Sequence, residues 1–125
     1  MAEHILNRPI WNSLNTRHAP FAVGEDGARR FRENVSIFAG LKDESAESLS
    51  ALARLMPKQG NLFLIQVAPI ALPDGIRVAI AGEGYQMILE NLNGPKTKVP
   101  QIERLTEADA EDMFALATLT KPGPY

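Results

Sequence analysis

Residues 21–32 read Phe-Ala-Val-Gly-Glu-Asp-Gly-Ala-Arg-Arg-Phe-Arg. Phe21-Ala22-Val23 and Ala28 to Arg32 are short strand candidates. Between them, Gly24-Glu25-Asp26-Gly27 supplies an Asp-Gly dipeptide suited to the positive φ of a hairpin turn. A hairpin cannot bury its apolar face alone, so the rest of the chain has to supply a second layer. On the C-terminal side, Val35 to Phe38 is a further strand candidate, closed by Gly40. Ser45 to Met56 then carries the clearest helix pattern: Asp43 or Ser45 can cap it, Leu49, Leu52, Ala53 and Met56 share one face, and Pro57 and Gly60 stop it. On the N-terminal side, Asn7 and Pro9 flank the start of a short helical pattern that places Ile10, Trp11 and Leu14 on one face.

Farther on, Leu62-Phe63-Leu64-Ile65-Gln66-Val67 is apolar almost throughout, which predicts a central strand covered on both faces. Pro69 and Pro73-Asp74-Gly75 turn the chain. Ile76, Val78 and Ile80, then Tyr85, Met87 and Leu89, alternate with their neighbours around Gly82-Glu83-Gly84 and predict a second hairpin. Asn91 to Pro100 is polar, with two prolines and a glycine, and reads as a linker. Ile102 to Leu105 is a strand candidate. A last helix follows with Thr106 as N-cap, acidic residues at its positive end, and an apolar stripe of Ala110, Met113, Phe114 and Ala117. The sum is an α+β fold: a mostly antiparallel, twisted sheet of about five to seven strands with helices packed on it. Its expected core is Trp11, Leu14, Leu49, Leu52, Leu64, Ile65, Val78, Ile80, Met87, Met113 and Phe114.

The chain has 125 residues, a net charge of −2, 45% hydrophobic residues and no cysteine. That length suits one domain. The weakly acidic balance argues against binding nucleic acid through phosphate neutralisation. The absence of cysteine removes disulfides, thiol catalysis and thiolate metal sites. No secretory pattern opens the sequence, and no run approaches the roughly 18 apolar residues of a membrane span, so the cytoplasm is the expected location.

The chemistry-bearing residues are few. His4 and His18 are the only imidazoles, too badly spaced for a metal site, and are expected as surface or capping residues. Gly82-x-Gly84 lacks the third glycine and the following helix of a dinucleotide fingerprint, and there is no phosphate-binding Gly-Lys-Ser/Thr loop. On a strand, Arg30 and Arg32 share one face and Arg29 the other, which suggests an exposed, soluble edge. Glu107, Asp109, Glu111 and Asp112 are explained by the helix dipole without any acid-base role. Asn34-Val35-Ser36 matches a glycosylation sequon that only a secreted chain would use.

Two stretches, Asn7-Arg8-Pro9-Ile10-Trp11-Asn12-Ser13-Leu14 with the following Arg17 to Arg32, and Ile102 to Tyr125 ending Leu119-Thr120-Lys121-Pro122-Gly123-Pro124-Tyr125, resemble the N-terminal half of a bacterial GNAT-superfamily N-acetyltransferase. The resemblance includes Asp43-Glu44-Ser45 to Leu55 and Gln86-Met87, and so covers nearly the whole chain. It implies a degenerate, acetyltransferase-like N-terminal domain at 1–92, a linker at 93–100, and at 101–125 the first strand and helix of a truncated catalytic domain. The family holds the acetyl-CoA pyrophosphate on backbone N–H groups of a Gln/Arg-x-x-Gly-x-Gly/Ala loop opening a helix. No glycine here has Gln or Arg three positions earlier, so this chain offers no cofactor-binding or catalytic residue of the family. The resemblance assigns only Pro122-Gly123-Pro124, as the turn leading into the substrate-side loop, and implies acetyl-CoA for the full-length protein alone.

Two readings follow. The chain is the N-terminal part of an enzyme that moves acetyl from acetyl-CoA to an amine, or it is a non-catalytic binding or interaction module derived from one. In either case Met113, Phe114 and Leu116, each worth roughly 1.5–3 kcal/mol when buried, need cover. They could fold back on residues 20 to 90 or pair with a second copy, and homodimerisation through the C-terminal helix is the favoured expectation.

Overall fold

The computed structural model describes residues 3–94 and 101–121 and divides the chain into two units, Met1–Gly84 and Tyr85–Tyr125. The first unit is built on the hairpin. Strands β1 (Ala22–Glu25) and β2 (Ala28–Phe31) pair antiparallel, with Ala22 opposite Phe31 and Glu25 opposite Ala28. Gly24 and Gly27 both take positive φ in this turn, a conformation that side chains with a Cβ resist. Strand β3 (Phe38–Leu41) pairs antiparallel with β2. Helix α1 (Pro9–Leu14) precedes the hairpin and helix α2 (Ala46–Leu55) follows β3. Strand β4 (Phe63–Leu64) then returns parallel to β3, so the sheet order is β1-β2-β3-β4. The architecture is α+β, with a four-stranded mixed sheet and a few helices.

Each helix forms for a local reason. Pro9 starts α1 with its φ already helical and no N–H to satisfy. Ser45 caps α2 by accepting the Ser48 N–H. The two helices lie on opposite faces of the sheet. Ala39 and Leu41 of β3 join Ala28, Ala51 and Leu52 in the α2-side core, with Leu49, Leu55, Leu62, Leu64 and Ile70 packed around it. Gly40, between them on the strand, turns its other face directly onto the backbone of α1 at Ile10 and Trp11. Leu14 is fully buried, and Trp11 is half-buried.

The run from Leu62 to Val67 corrects the expectation of a central strand. β4 is two residues long and sits at the edge of the sheet. Leu62, Leu64, Gln66 and Ala68 turn inward, while Phe63, Ile65 and Val67 face outward and stay exposed. An unbroken apolar run hides this alternation, because both faces carry the same kind of residue. The strand expected at Val35 to Phe38 begins instead at Phe38, since Arg32 to Ser36 is turned by hydrogen bonds from Val35 N and Ser36 N to the Arg32 carbonyl.

Residues 76–90 form no strand, so the second hairpin is absent, and Val78, Ile80 and Met87 are exposed rather than buried. Their alternation is genuine, but alternating side chains stabilise a strand only when neighbouring strands hold the backbone. In the second unit, Ile102 to Leu105 likewise forms no strand among the described residues. A capping box at Thr106 and Asp109 leads through a 3₁₀ turn, Glu107–Asp109, into helix α3 (Ala110–Thr120). Phe114 is 74% exposed, and Met113 also lies open, which removes both from the expected core.

Candidate functional site

Polar side chains converge at three places in the first unit. The largest is a clasp around Arg8, whose guanidinium is buried at the start of α1. Its Nη2 donates to both carboxylate oxygens of Glu44 at 2.7 Å, and its Nε lies 3.2 Å from Glu3 Oε1. Gln66 donates to Glu44 Oε1 at 2.9 Å and to the Ala68 carbonyl at 2.8 Å. Nearby, the Val67 N–H donates to the Asn7 carbonyl at 3.0 Å. These contacts tie together the start of the chain, the loop after β3 and the segment leaving β4. With Glu44 matching its charge and holding its Nη2, Arg8 acts as a structural rivet rather than a ligand-binding cation, and its Nε is left without a hydrogen bond.

The second place is the start of α2. Asp43 Oδ1 accepts from the Ser45 N–H, the Ser45 hydroxyl and the Ser48 hydroxyl. Hydrogen bonds from Ser45 and then Ser48 hold the Asp43 carboxyl down to about 2. A carboxyl depressed on folding contributes stability above its unfolded value near 3.8 and loses it as pH falls through the folded value. The melting temperature of the first unit is therefore expected to fall between about pH 4 and pH 2, and less steeply in Asp43→Asn. Acid titration followed by the fluorescence of Trp11, the single tryptophan, checks this. Identical acid profiles for the two proteins would contradict it.

The third is a shallow groove lined by Ile5, Leu6, Pro9, Asn12, Ser13 and His18. Here Ser13 Oγ and His18 Nδ1 are 2.6 Å apart, and the imidazole rests on Phe31, its ring centroid 5.5 Å away. The pairing brings a hydroxyl beside an imidazole five residues on. None of the groove's lining residues is a carboxylate, so the pair lacks the orienting group that a nucleophilic triad needs. His4, the other imidazole, caps the first 3₁₀ turn by accepting the Leu6 N–H at 3.2 Å.

The remaining sequence candidates are placed as follows. β2 lies inside the sheet, so Arg29 and Arg30 are not on an open edge. Arg29 donates to the Leu14 carbonyl, Arg30 pairs with Glu33 at 2.9 Å, and exposed Arg32 donates to the Pro20 carbonyl. Of the acidic group near α3, Asp109 accepts the Thr106 N–H at 2.8 Å. Gly82 and Gly84 stand in open space outside any element, with no helix directly after them. Pro122, Gly123 and Pro124 lie outside the described residues. Among the described residues no group of three or more His, Asp or Glu is placed to hold a metal ion, and no helix is long and apolar enough to cross a membrane.

A pyrophosphate cradle is not among these sites. The first turn of α2 is occupied by Ser45, Ser48 and Asp43, and the turn before α3 by Thr106 and Asp109. Both ends carry negative charge where an anion would sit, so neither of these two helix starts suits a pyrophosphate. What stands out is apolar surface. Val78, Ile80, Tyr85, Met87, Leu89 and Leu92 are all at least 60% exposed, and Ile102, Phe114, Leu116 and Leu119 at least 61%. Isolated exposed apolar residues are ordinary, but long runs of them mark surfaces that meet another surface. No protein-family model, curated protein or solved structure matches the chain.

Sequence reasoning missed the Arg8–Glu44–Gln66 clasp because its members are 36 and 22 residues apart and no local pattern links them. The Ser13–His18 pair had a readable signal, a hydroxyl and an imidazole across a helix end followed by Pro20, but no spacing rule singles it out.

Proposed function

We propose that this chain is the N-terminal part of a GNAT-superfamily N-acetyltransferase that moves acetyl from acetyl-CoA to an amine. In this reading residues 1–92 are the degenerate N-terminal region, and residues 101–125 open the catalytic fold. The carrying observation is that 76–92 and α3 keep strand-like and helical apolar patterning while exposed, Met87 at 96% and Phe114 at 74%. Such patterning becomes stabilising only when further strands and helices cover it. α3 is apolar on most of its circumference, with Met113, Phe114, Leu116, Ala117 and Leu119 spread around it, as in a helix designed for the interior of a larger domain. The chain itself supplies no acetyl-CoA loop and no catalytic residue. Pro122-Gly123-Pro124 would lead toward the amine-binding side.

The coding sequence beyond Tyr125 tests the reading. It is expected to continue and to encode Gln/Arg-x-x-Gly-x-Gly/Ala ahead of a helical pattern. A stop codon directly after Tyr125 would overturn it and favour the non-catalytic interaction module.

A further inference from the structure

We infer that the 125-residue chain pairs with a second copy of itself through antiparallel α3 helices. This does not rest on the acetyltransferase reading; it follows from the surface of the second unit. Met113 and Phe114 lie on one stripe of α3 with Ala110 and Ala117, flanked by Leu116, and the described residues leave Met113, Phe114 and Leu116 open. Ile102 and Leu105, just ahead of the helix, are open too, whereas Leu119 points to the opposite side of α3. At roughly 100 Å² of apolar surface apiece, these five large residues bring about 500 Å² per chain and about 1,000 Å² per pair. That is the least area expected of a specific interface, and it suits a dimer of micromolar rather than nanomolar affinity.

Charge sets the direction. Glu107, Asp109, Glu111 and Asp112 crowd the N-terminal end, while residues 113–120 carry no charge and Lys121 follows at the C-terminal end. Parallel pairing would set two acidic clusters side by side. Antiparallel pairing sets each cluster beside the partner's Lys121 and opposes the two helix dipoles. It also gives a closed two-fold contact, in which the same patch serves both copies.

Light scattering of the intact chain across micromolar concentrations, with Phe114→Asp and Lys121→Glu beside it, tests the pairing. The expected result is a wild-type dimer, dissociation constants raised at least tenfold by Phe114→Asp and severalfold by Lys121→Glu, and unchanged Trp11 fluorescence in both variants. Trp11 belongs to the first unit, so its fluorescence reports the folding of that unit. A wild-type monomer, a dimer indifferent to Phe114→Asp, an indifference to Lys121→Glu or open-ended aggregation would each overturn the inference. None of these outcomes bears on what the coding sequence holds beyond Tyr125.

Discussion

Gly40→Ala is expected to destabilise the first unit by about 3 kcal/mol, lowering its melting temperature by roughly 10–20 °C. A Cβ built at Gly40 falls 2.6 Å from Trp11 Cα and 3.0 Å from the Ile10 carbonyl carbon, closer than such atoms pack. The obstacles are backbone atoms of α1, so no rotamer change can relieve the clash. The helix must lift off the sheet, carrying the Leu14 side chain, which is fully buried, away from its contacts. Thermal melts followed by Trp11 fluorescence report this directly, because Trp11 sits at the point of contact. A melt within about 2 °C of wild type would show that α1 does not seat on β3.

The second large effect concerns Glu44. Glu44→Ala leaves the Arg8 guanidinium, only 8% exposed, without the carboxylate that holds its Nη2, Glu3 remaining near Nε, and also removes one of the two acceptors of Gln66. Breaking a fully buried pair costs about 3–5 kcal/mol, but the Glu44 side chain is 34% exposed and water screens part of the charge. A loss of about 2 kcal/mol is expected. Because the cost comes from a stranded charge, Arg8→Met/Glu44→Leu should recover most of it, as replacing both members of a buried pair often does. Chemical denaturation of the single and double variants distinguishes the cases. A double variant as unstable as the sum of two single variants would mean that the residues act separately.

What could be read from the sequence was local. The hairpin at 22–31 was legible because Asp26-Gly27 specifies a turn within four residues, and α2 because its cap, its apolar spacing and Pro57 all lie within fifteen. Strand order was not local. Leu62 to Val67 looked central because Phe63 and Ile65 are as apolar as Leu62 and Leu64, yet only the second pair is turned inward. Residues 76–90 carry a sound strand pattern whose pairing partners are not supplied by the described chain. Arg8 and Glu44 meet only because α1 and the loop after β3 converge, which no spacing of residue types announces.

Residues 76–92 and α3 carry apolar patterning that stays exposed, and the acetyltransferase proposal assigns its cover to further protein. Calorimetric titration of acetyl-CoA into the 125-residue chain and into the product of the whole reading frame tests this most directly. The predicted result is no binding by the chain, whose sequence has no Gln/Arg-x-x-Gly-x-Gly/Ala loop for the pyrophosphate, and micromolar binding by the full product. Micromolar binding by the chain alone, or none by the full product, would contradict it.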